Sequence, residues 1–400
     1  MPGPLDGIRV LDLTTMVSGP VATMMLADQG ADVIKIESPN GDIMRQYGVI
    51  HRGMSASFLS CNRSKRSLCV DLKTGDGLAI VRKLAATADV LVQNFRPGAI
   101  ERMGLGEDAV RELRPDIIFV SISGFGETGP YAHQRVYDGI IQALSGLCDI
   151  QTDNETGRPH MVRTIVPDKT TSVTAAQAIT AALFARERTG RGQHVRLAML
   201  DTMVAYLWPE ASSPLTFLDD EQDPARQQAG PDLIFRTADG YITAAVISNA
   251  EWAGMCRAFG REELIEDPRF KTAAARGQNR TERRTIMNEE IAKWPTAEIL
   301  ARFDREVVPA APVLKRGEVI ENAQVIENAI VGVHDDPDLG PVRQPRPAAR
   351  FAETPAEMRS IAPWLGADNA AILEELGYDE AEVSRLAETG VLHRGVRPAT

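Results

Sequence analysis

The chain has 400 residues, 44% of them hydrophobic and 25% charged, with a formal net charge of −11. That length exceeds one ordinary core, so two domains are expected. The acidic balance disfavours a nucleic-acid partner, which would need a basic face. No run approaches the roughly 20 apolar residues of a membrane span. Residues 1–6 lack the basic start and apolar core of a signal peptide, so a cytoplasmic protein with no membrane partner is expected.

The opening 5–42 reads as strand (8–13), loop, helix (21–29) and strand (32–37). The loop after the first strand of such a βαβ unit is where a nucleotide is held. Here it is T-T-M-V-S-G-P at 14–20, not G-x-G-x-x-G. That points away from NAD or FAD and towards another adenine-bearing ligand, and it removes the case for a nucleotide-dependent reductase.

Alternation continues: strands at 67–71, 89–93, 117–123 and 193–198, and helices at 74–87 (capped by Thr74), 107–114, 135–147 and 169–188. This predicts a Rossmann-like α/β fold, an open and mostly parallel sheet with helices on both faces. The large domain is expected over 1–200, completed by a tail at 346–400. A linker is expected at 201–230, its second part (219–230) polar and loop-like. A smaller α+β domain follows at 231–306. It opens with a hairpin turned at Asp239-Gly240 and continues as helices to about 305. A return linker is read at 307–345. The Pro-rich tail, with helices at 369–376 and 380–388, is too long for an independent appendage. It is expected to wrap over the first domain or over a partner chain.

Cys61, Cys69, Cys148 and Cys256 show no C-x-x-C spacing, and the six histidines form no H-E-x-x-H pair. Free thiols and no metal are the expectation. Asp168 follows an apolar approach and begins an Ala-rich helix. Local pattern leaves two readings open. One is an N-cap; the other is an ionised nucleophile whose pKa the helix N-terminus lowers. Lys35, Arg63, Lys65, Arg66, Lys73, Arg96, Arg102 and Arg135 cluster in loops near strand ends, where open α/β sheets bind phosphate. Each alone reads first as solvated surface; only as a set do they point to phosphate. G-F-G-E-T-G-P at 124–130 could make a turn or let a ligand approach the backbone. T-G-R-G-Q at 189–193 reads as a helix C-cap and a tight turn.

Several segments together resemble the family III CoA-transferases (the CaiB/BaiF type), which include formyl-CoA:oxalate and carnitine CoA-transferases and, as relatives, the α-methylacyl-CoA racemases. They are L-D-G-I-R-V-L-D-L at 5–13, G-A-D-V-I-K-I-E-S-P-N-G-D at 30–42, N-R-S-K-R-S-L-C-V-D-L-K at 62–73 and Q-N-F-R-P-G-A-I-E-R-M-G at 93–104. They continue with 124–130, V-Y-D-G-I-I-Q-A-L-S-G at 136–146, T-G-R-G-Q-H-V-R-L-A-M-L-D at 189–201 and A-P-W-L-G-A-D-N at 362–369.

The resemblance implies that Asp168 is the nucleophile of a CoA-transferase. It would attack an acyl-CoA to give a mixed anhydride, then become an aspartyl-CoA thioester that the acceptor acid resolves. It implies CoA contacts at Val17, Ser18, Val70, Asp71, Leu72, Lys73, Asn94, Phe95, Arg96, Arg102, Met103, Arg135 and Tyr137, with arginines suited to phosphates. No cofactor is expected to be bound permanently; coenzyme A and acyl-CoA enter as substrates, with a carboxylic acid as second substrate. It also implies an interlocked homodimer.

Two features depart from the formyl-CoA transferase branch: Ala245-Val246-Ile247-Ser248-Asn249 replaces a glycine run, and Ser38 replaces an arginine. Arg45, His51 and Arg163 are candidates for recognising a dicarboxylate. The alternatives are racemase-type proton transfer and a non-catalytic CoA-binding protein. The racemase branch has a histidine at the place of Tyr137, and a tyrosine is a poor base at neutral pH.

Overall fold

The structure is a computed structural model that describes residues 3–153, 156–218 and 233–395. The polar stretch read as linker at 219–230 lies outside the described residues. The chain divides into two compact units, one of Met1–Ala229 with Ala329–Thr400, the other of Gly230–Asn328.

The first unit is built on six strands: β1 (Arg9–Asp12), β2 (Asp32–Glu37), β3 (Arg66–Cys69), β4 (Val90–Gln93), β5 (Ile118–Ser123) and β6 (His194–Ala198). They pair in parallel in the order β3-β2-β1-β4-β5-β6. This is the doubly wound order, whose switch point lies between β1 and β4. Strand residues alternate between two apolar layers, which is why the strands read as continuous hydrophobic runs. Leu11, Ile34, Leu91 and Phe119 face α2 (Gly75–Thr87) and α3 (Glu107–Leu113) through Ile80, Val81, Leu84 and Val110. Val10, Val33, Val90 and Val120 face α1 (Ser18–Asp28) and a long helix at 166–189 through Ala22, Leu26, Ala175 and Ile179.

Three further helices of this unit bear on the site: α4 (Asp138–Leu144), α5 (Val166–Thr189) and α6 (Met199–Leu207). Helix α5 starts three residues earlier than the pattern predicts, because Pro167 is tolerated in a first turn where its missing N–H costs nothing. It ends at Gly190, whose φ of 67° supplies the expected left-handed cap. The expected linker 201–230 begins inside α6.

In the second unit, β7 (Ile234–Arg236), β8 (Tyr241–Ala244) and β9 (Ala310–Pro312) form an antiparallel sheet. Thr237 N–H donates to Gly240 O across the expected turn, at 3.0 Å. Helices α7 (Asn249–Phe259), α8 (Ala273–Gln278), α9 (Arg280–Ile291) and α10 (Thr296–Arg305) follow β8. Several of their apolar side chains enclose a core around Trp252, Phe270 and Phe303.

The segment read as a return linker, 307–345, carries regular structure. Its start supplies β9, and its end forms the hairpin β10 (Val331–Asp336) and β11 (Gly340–Pro345) within the first unit. Prolines suggested a linker, but Pro312 and Pro345 close strands at positions where a missing N–H is harmless. The tail helices α11 (Asn369–Glu375) and α12 (Glu380–Glu388) bury Ile372, Leu373 and Leu386 in the first unit's core. Asp368 and Asn369 accept hydrogen bonds from Ser67 N and Cys69 N at 2.8 and 2.9 Å. The tail thereby covers the exposed edge of β3, which would otherwise present unpaired backbone groups.

Candidate active site

Asp168 is the third residue of α5, not its cap. The cap position is Ile165, with no side-chain capping bond. The carboxylate is therefore free of the capping role and lies where three helices begin together. Asp168 N–H donates to Asp138 Oδ2 at 3.2 Å, and Asp138 is the first residue of α4. Ser18, the first residue of α1, lies beside the Asp168 carboxylate, and its hydroxyl and backbone N–H act on that carboxylate as donors that favour the ionised form. That N–H is one of the donors every helix start leaves without an internal partner.

Burial first, and the neighbouring Asp138 carboxylate second, push the Asp168 carboxyl up to about 6. The nearby Ser18 donors pull the other way and lose. The lowering expected from the helix N-terminus is thus reversed, because desolvation and a like charge outweigh it.

Asp138 is itself buried and held from behind. Gln142 Nε2 donates to Asp138 Oδ1 at 2.7 Å and to the carbonyls of Val162 and Thr164, while Gln142 Oε1 accepts from Val162 N–H at 3.0 Å. One amide thereby ties α4 to the approach into α5. The loop that carries Ser18 is held at Thr14 and Pro20 by a buried ionic cluster. Lys65 Nζ donates to Asp12 Oδ2, Pro20 O and Asn62 Oδ1, each at 2.8 Å. Lys35 Nζ donates to Thr14 O at 2.8 Å and pairs with Asp42 at 3.1 Å. Asp12 also accepts from Thr14 and Thr23. Both lysines are fully buried. Gly19 completes the loop: a Cβ there would lie 2.4 Å from Thr14.

The eight basic candidates separate into two sets. Lys35, Arg63, Lys65 and Arg66 are consumed by Asp42, Asp28, Asp12 and Asp32. They hold the fold and are not available for phosphate. Lys73, Arg96, Arg102 and Arg135 are exposed. Among the described residues none of the four is ion-paired.

Val17, Ser18, Asn94, Phe95 and Arg96 lie at the switch point between β1 and β4. Asn94 closes it by donating to Thr15 O at 2.8 Å and accepting from Thr15 N–H at 2.9 Å. Val70 is wholly buried and bridges Leu392 of the tail, so only its neighbours Asp71, Leu72 and Lys73 reach solvent. Arg102 and Met103 sit at the end of a short helical turn after Gly98. Tyr137 is exposed immediately before α4.

A cavity of about 480 Å³ opens beside the same loop. Its acids Glu101, Glu107, Asp108 and Glu127 outnumber Arg96 and Arg196, which disfavours a phosphate there. Among the described residues no three His, Cys, Asp or Glu side chains converge on a metal position. No helix among them is long and apolar enough to cross a membrane.

Of the dicarboxylate candidates, Arg45 is consumed. It pairs with Glu37 at 2.6 Å, donates to Pro363 O and stacks 3.8 Å from the Phe58 ring centre. His51 hydrogen-bonds Leu339 O at 3.3 Å. Arg163 stays exposed, five residues before Asp168. Sequence reasoning missed Asp138, Gln142 and Asp12. The first two stood in the quoted segment 136–146, four residues apart as α4 neighbours must be. Asp12 was signalled by a charge inside an otherwise apolar strand.

The family model for CoA-transferase family III matches residues 5–369. The chain is 37% identical over 396 residues to succinyl-CoA:glutarate CoA-transferase of Mus musculus, covering 98% of this chain and 91% of that protein. It is 33% identical over 409 residues to formyl-CoA:oxalate CoA-transferase of Streptomyces avermitilis, covering 97% and 99%. Among solved structures, a CaiB/BaiF family protein from Brucella suis superposes with a TM-score of 0.82 at 33% identity, covering 94% of this chain and all of that one. With a match that spans both units and relatives this similar along nearly their full lengths, the chain belongs to CoA-transferase family III.

Proposed function

We propose that the protein moves CoA from an acyl-CoA thioester to a carboxylic acid, with Asp168 as the covalent carrier. Family membership makes it a transferase that uses CoA thioesters. The observation that carries the finer reading is the half-buried Asp168 carboxylate, released from capping and set beside Ser18 and Asp138 where three helices begin.

An Asp168 oxygen attacks the thioester carbonyl and expels CoA thiolate, leaving a mixed anhydride. The thiolate attacks the aspartyl carbonyl and expels the donor acid, leaving an aspartyl-CoA thioester. The acceptor carboxylate displaces the thiolate to form a second anhydride. The thiolate then attacks the acceptor's acyl carbon and frees Asp168. Each step exchanges one acyl link for another and needs no redox partner or metal. The Ser18 hydroxyl and N–H are donors suited to the oxyanions that form. Asp138 and Gln142 act as positioning residues. Lys73, Arg96, Arg102 and Arg135 are the cations available for the CoA phosphates, and Arg96, Arg102 and Arg135 can bind them as a fork.

The names of the similar proteins favour dicarboxylic substrates, with Arg163, exposed five residues before Asp168, as a candidate cation. We also read the protein as a cytoplasmic homodimer. For the dimer, the supporting observation is that Tyr137, Ile140, Leu144, Met161 and Phe184 are exposed on the first unit, four of them along a groove, as grouped apolar side chains at interaction surfaces are.

The test is exchange itself. The enzyme is incubated with a panel of acyl-CoAs and carboxylic acids, and mass spectrometry identifies acids that acquire CoA. Asp168→Ala is expected to abolish every exchange and to bind CoA nearly as well as the parent; turnover by that variant refutes the mechanism. Solvent deuterium entering an acyl-CoA α-position without any acceptor acid would favour the racemase chemistry instead.

A further inference from the structure

The second unit carries a cavity of about 200 Å³ whose lining has two characters. One side is apolar, formed by Phe235, Ala244, Val246, Ile247 and Met287. The other is cationic, formed by Arg280, Arg283 and Arg284. The three arginines and Met287 stand at i, i+3, i+4 and i+7 of α9, so one helix face supplies them all.

Among the described residues no acid lines this cavity. Two acids of α9 are engaged elsewhere, Glu282 with Arg269 and Glu290 with Arg261 and Lys293. Arg283 Nε is buried with no hydrogen-bond partner among the described residues. Arg276 of α8 is buried close by and spends its donors on Phe270 O and Ile247 O, at 3.0 and 3.2 Å, with no paired carboxylate. Burial, then Arg276 and Arg280, hold the Arg283 guanidinium below its ordinary value. Arg283, with an orphaned buried donor, and its neighbour Arg280 stand against an apolar wall, at a cost in free energy that an entering anion would offset.

We propose that this cavity is a binding site for a short aliphatic carboxylate, its head group held by Arg280 and Arg283 and its hydrocarbon body laid on Phe235, Val246 and Met287. A carboxylate matches the guanidinium fork in two parallel hydrogen bonds. An inorganic anion of the same charge would leave the apolar wall without a partner. The volume equals roughly six or seven waters at about 30 Å³ each, which suits a chain of four to six carbons. The proposal goes beyond the exchange reading, and no residue it uses belongs to the Asp168 cluster.

Isothermal titration of the full-length protein with butyrate, glutarate and inorganic phosphate tests it, in the parent, Asp168→Ala, Arg283→Met and Arg280→Met. Circular dichroism checks that each variant is folded. At least one of the two carboxylates should bind the parent and bind Asp168→Ala equally well. Its affinity should fall about tenfold or more in each arginine variant, and phosphate should bind about tenfold more weakly than it does. If Arg283→Met does not fold, Arg280→Met decides alone. Unchanged carboxylate affinity in a folded arginine variant overturns the proposal. So does phosphate binding as tightly as the carboxylates, or the absence of carboxylate binding to the parent. Loss of exchange in Asp168→Ala bears only on the catalytic reading, whereas carboxylate binding in that same variant bears on this one.

Discussion

Asp168→Asn should give a protein more stable than the parent at pH 8 and almost equal to it at pH 4. In the folded free enzyme the carboxyl is raised from 3.8 to about 6. Between those two values the native state holds a proton that the unfolded chain has lost, so stability falls as pH rises through this window. A displacement of about two units corresponds to about 3 kcal/mol at pH 8, and to about 0.5 kcal/mol at pH 4, where the folded carboxyl is already neutral.

Asparagine cannot ionise, keeps an oxygen for the Ser18 donors and removes the repulsion with Asp138. An unfolding entropy of about 2.1 cal/mol/K per residue converts 3 kcal/mol over the whole chain into a rise of about 3–4 °C in melting temperature. Calorimetry at pH 8, 6 and 4 reads this directly. The gain should shrink steadily with falling pH, while exchange activity is lost throughout. An Asn variant no more stable than the parent at pH 8, or one whose advantage grows towards pH 4, would refute the electrostatic account of the site. The expected pattern is the usual one for a charged group held in an unfavourable place for its chemistry.

Other outcomes follow from the same geometry. Asp138→Asn removes the second cause of the raised Asp168 pKa, so the acidic limb of kcat/KM against pH should move to lower pH; a merely structural role would leave its midpoint in place. Lys65→Met leaves Asp12 buried with a missing partner, and equilibrium urea unfolding should show a loss of about 3–5 kcal/mol. Arg102→Gln, at an exposed cation with no ion pair among the described residues, should weaken CoA binding by about 1.5–3 kcal/mol, or roughly ten- to hundredfold, in a titration without effect on melting temperature.

The hydrophobic patterning by itself determined the fold class, because parallel strands buried on both faces must be continuous apolar runs, and here such runs alternate with helix-length segments. The turn residues were equally local: Gly190 had to end α5, and Asp239-Gly240 had to turn the hairpin at 237–240. Ordered segments from 5 to 369 also carried the family and, through it, the choice of Asp168.

What the sequence could not state was which charges are spent. Lys35, Arg63, Lys65 and Arg66 look like Lys73, Arg96, Arg102 and Arg135 in one dimension. Only folding brings the first four against Asp42, Asp28, Asp12 and Asp32, residues as far as 53 positions away. The same holds for Asp168. Its raised pKa arises from burial and from Asp138, thirty residues earlier in the chain, and both are products of three helix starts meeting in space. Local rules fix which elements form, but pairwise electrostatics depends on distance and desolvation, and those exist only once the tertiary structure is in place.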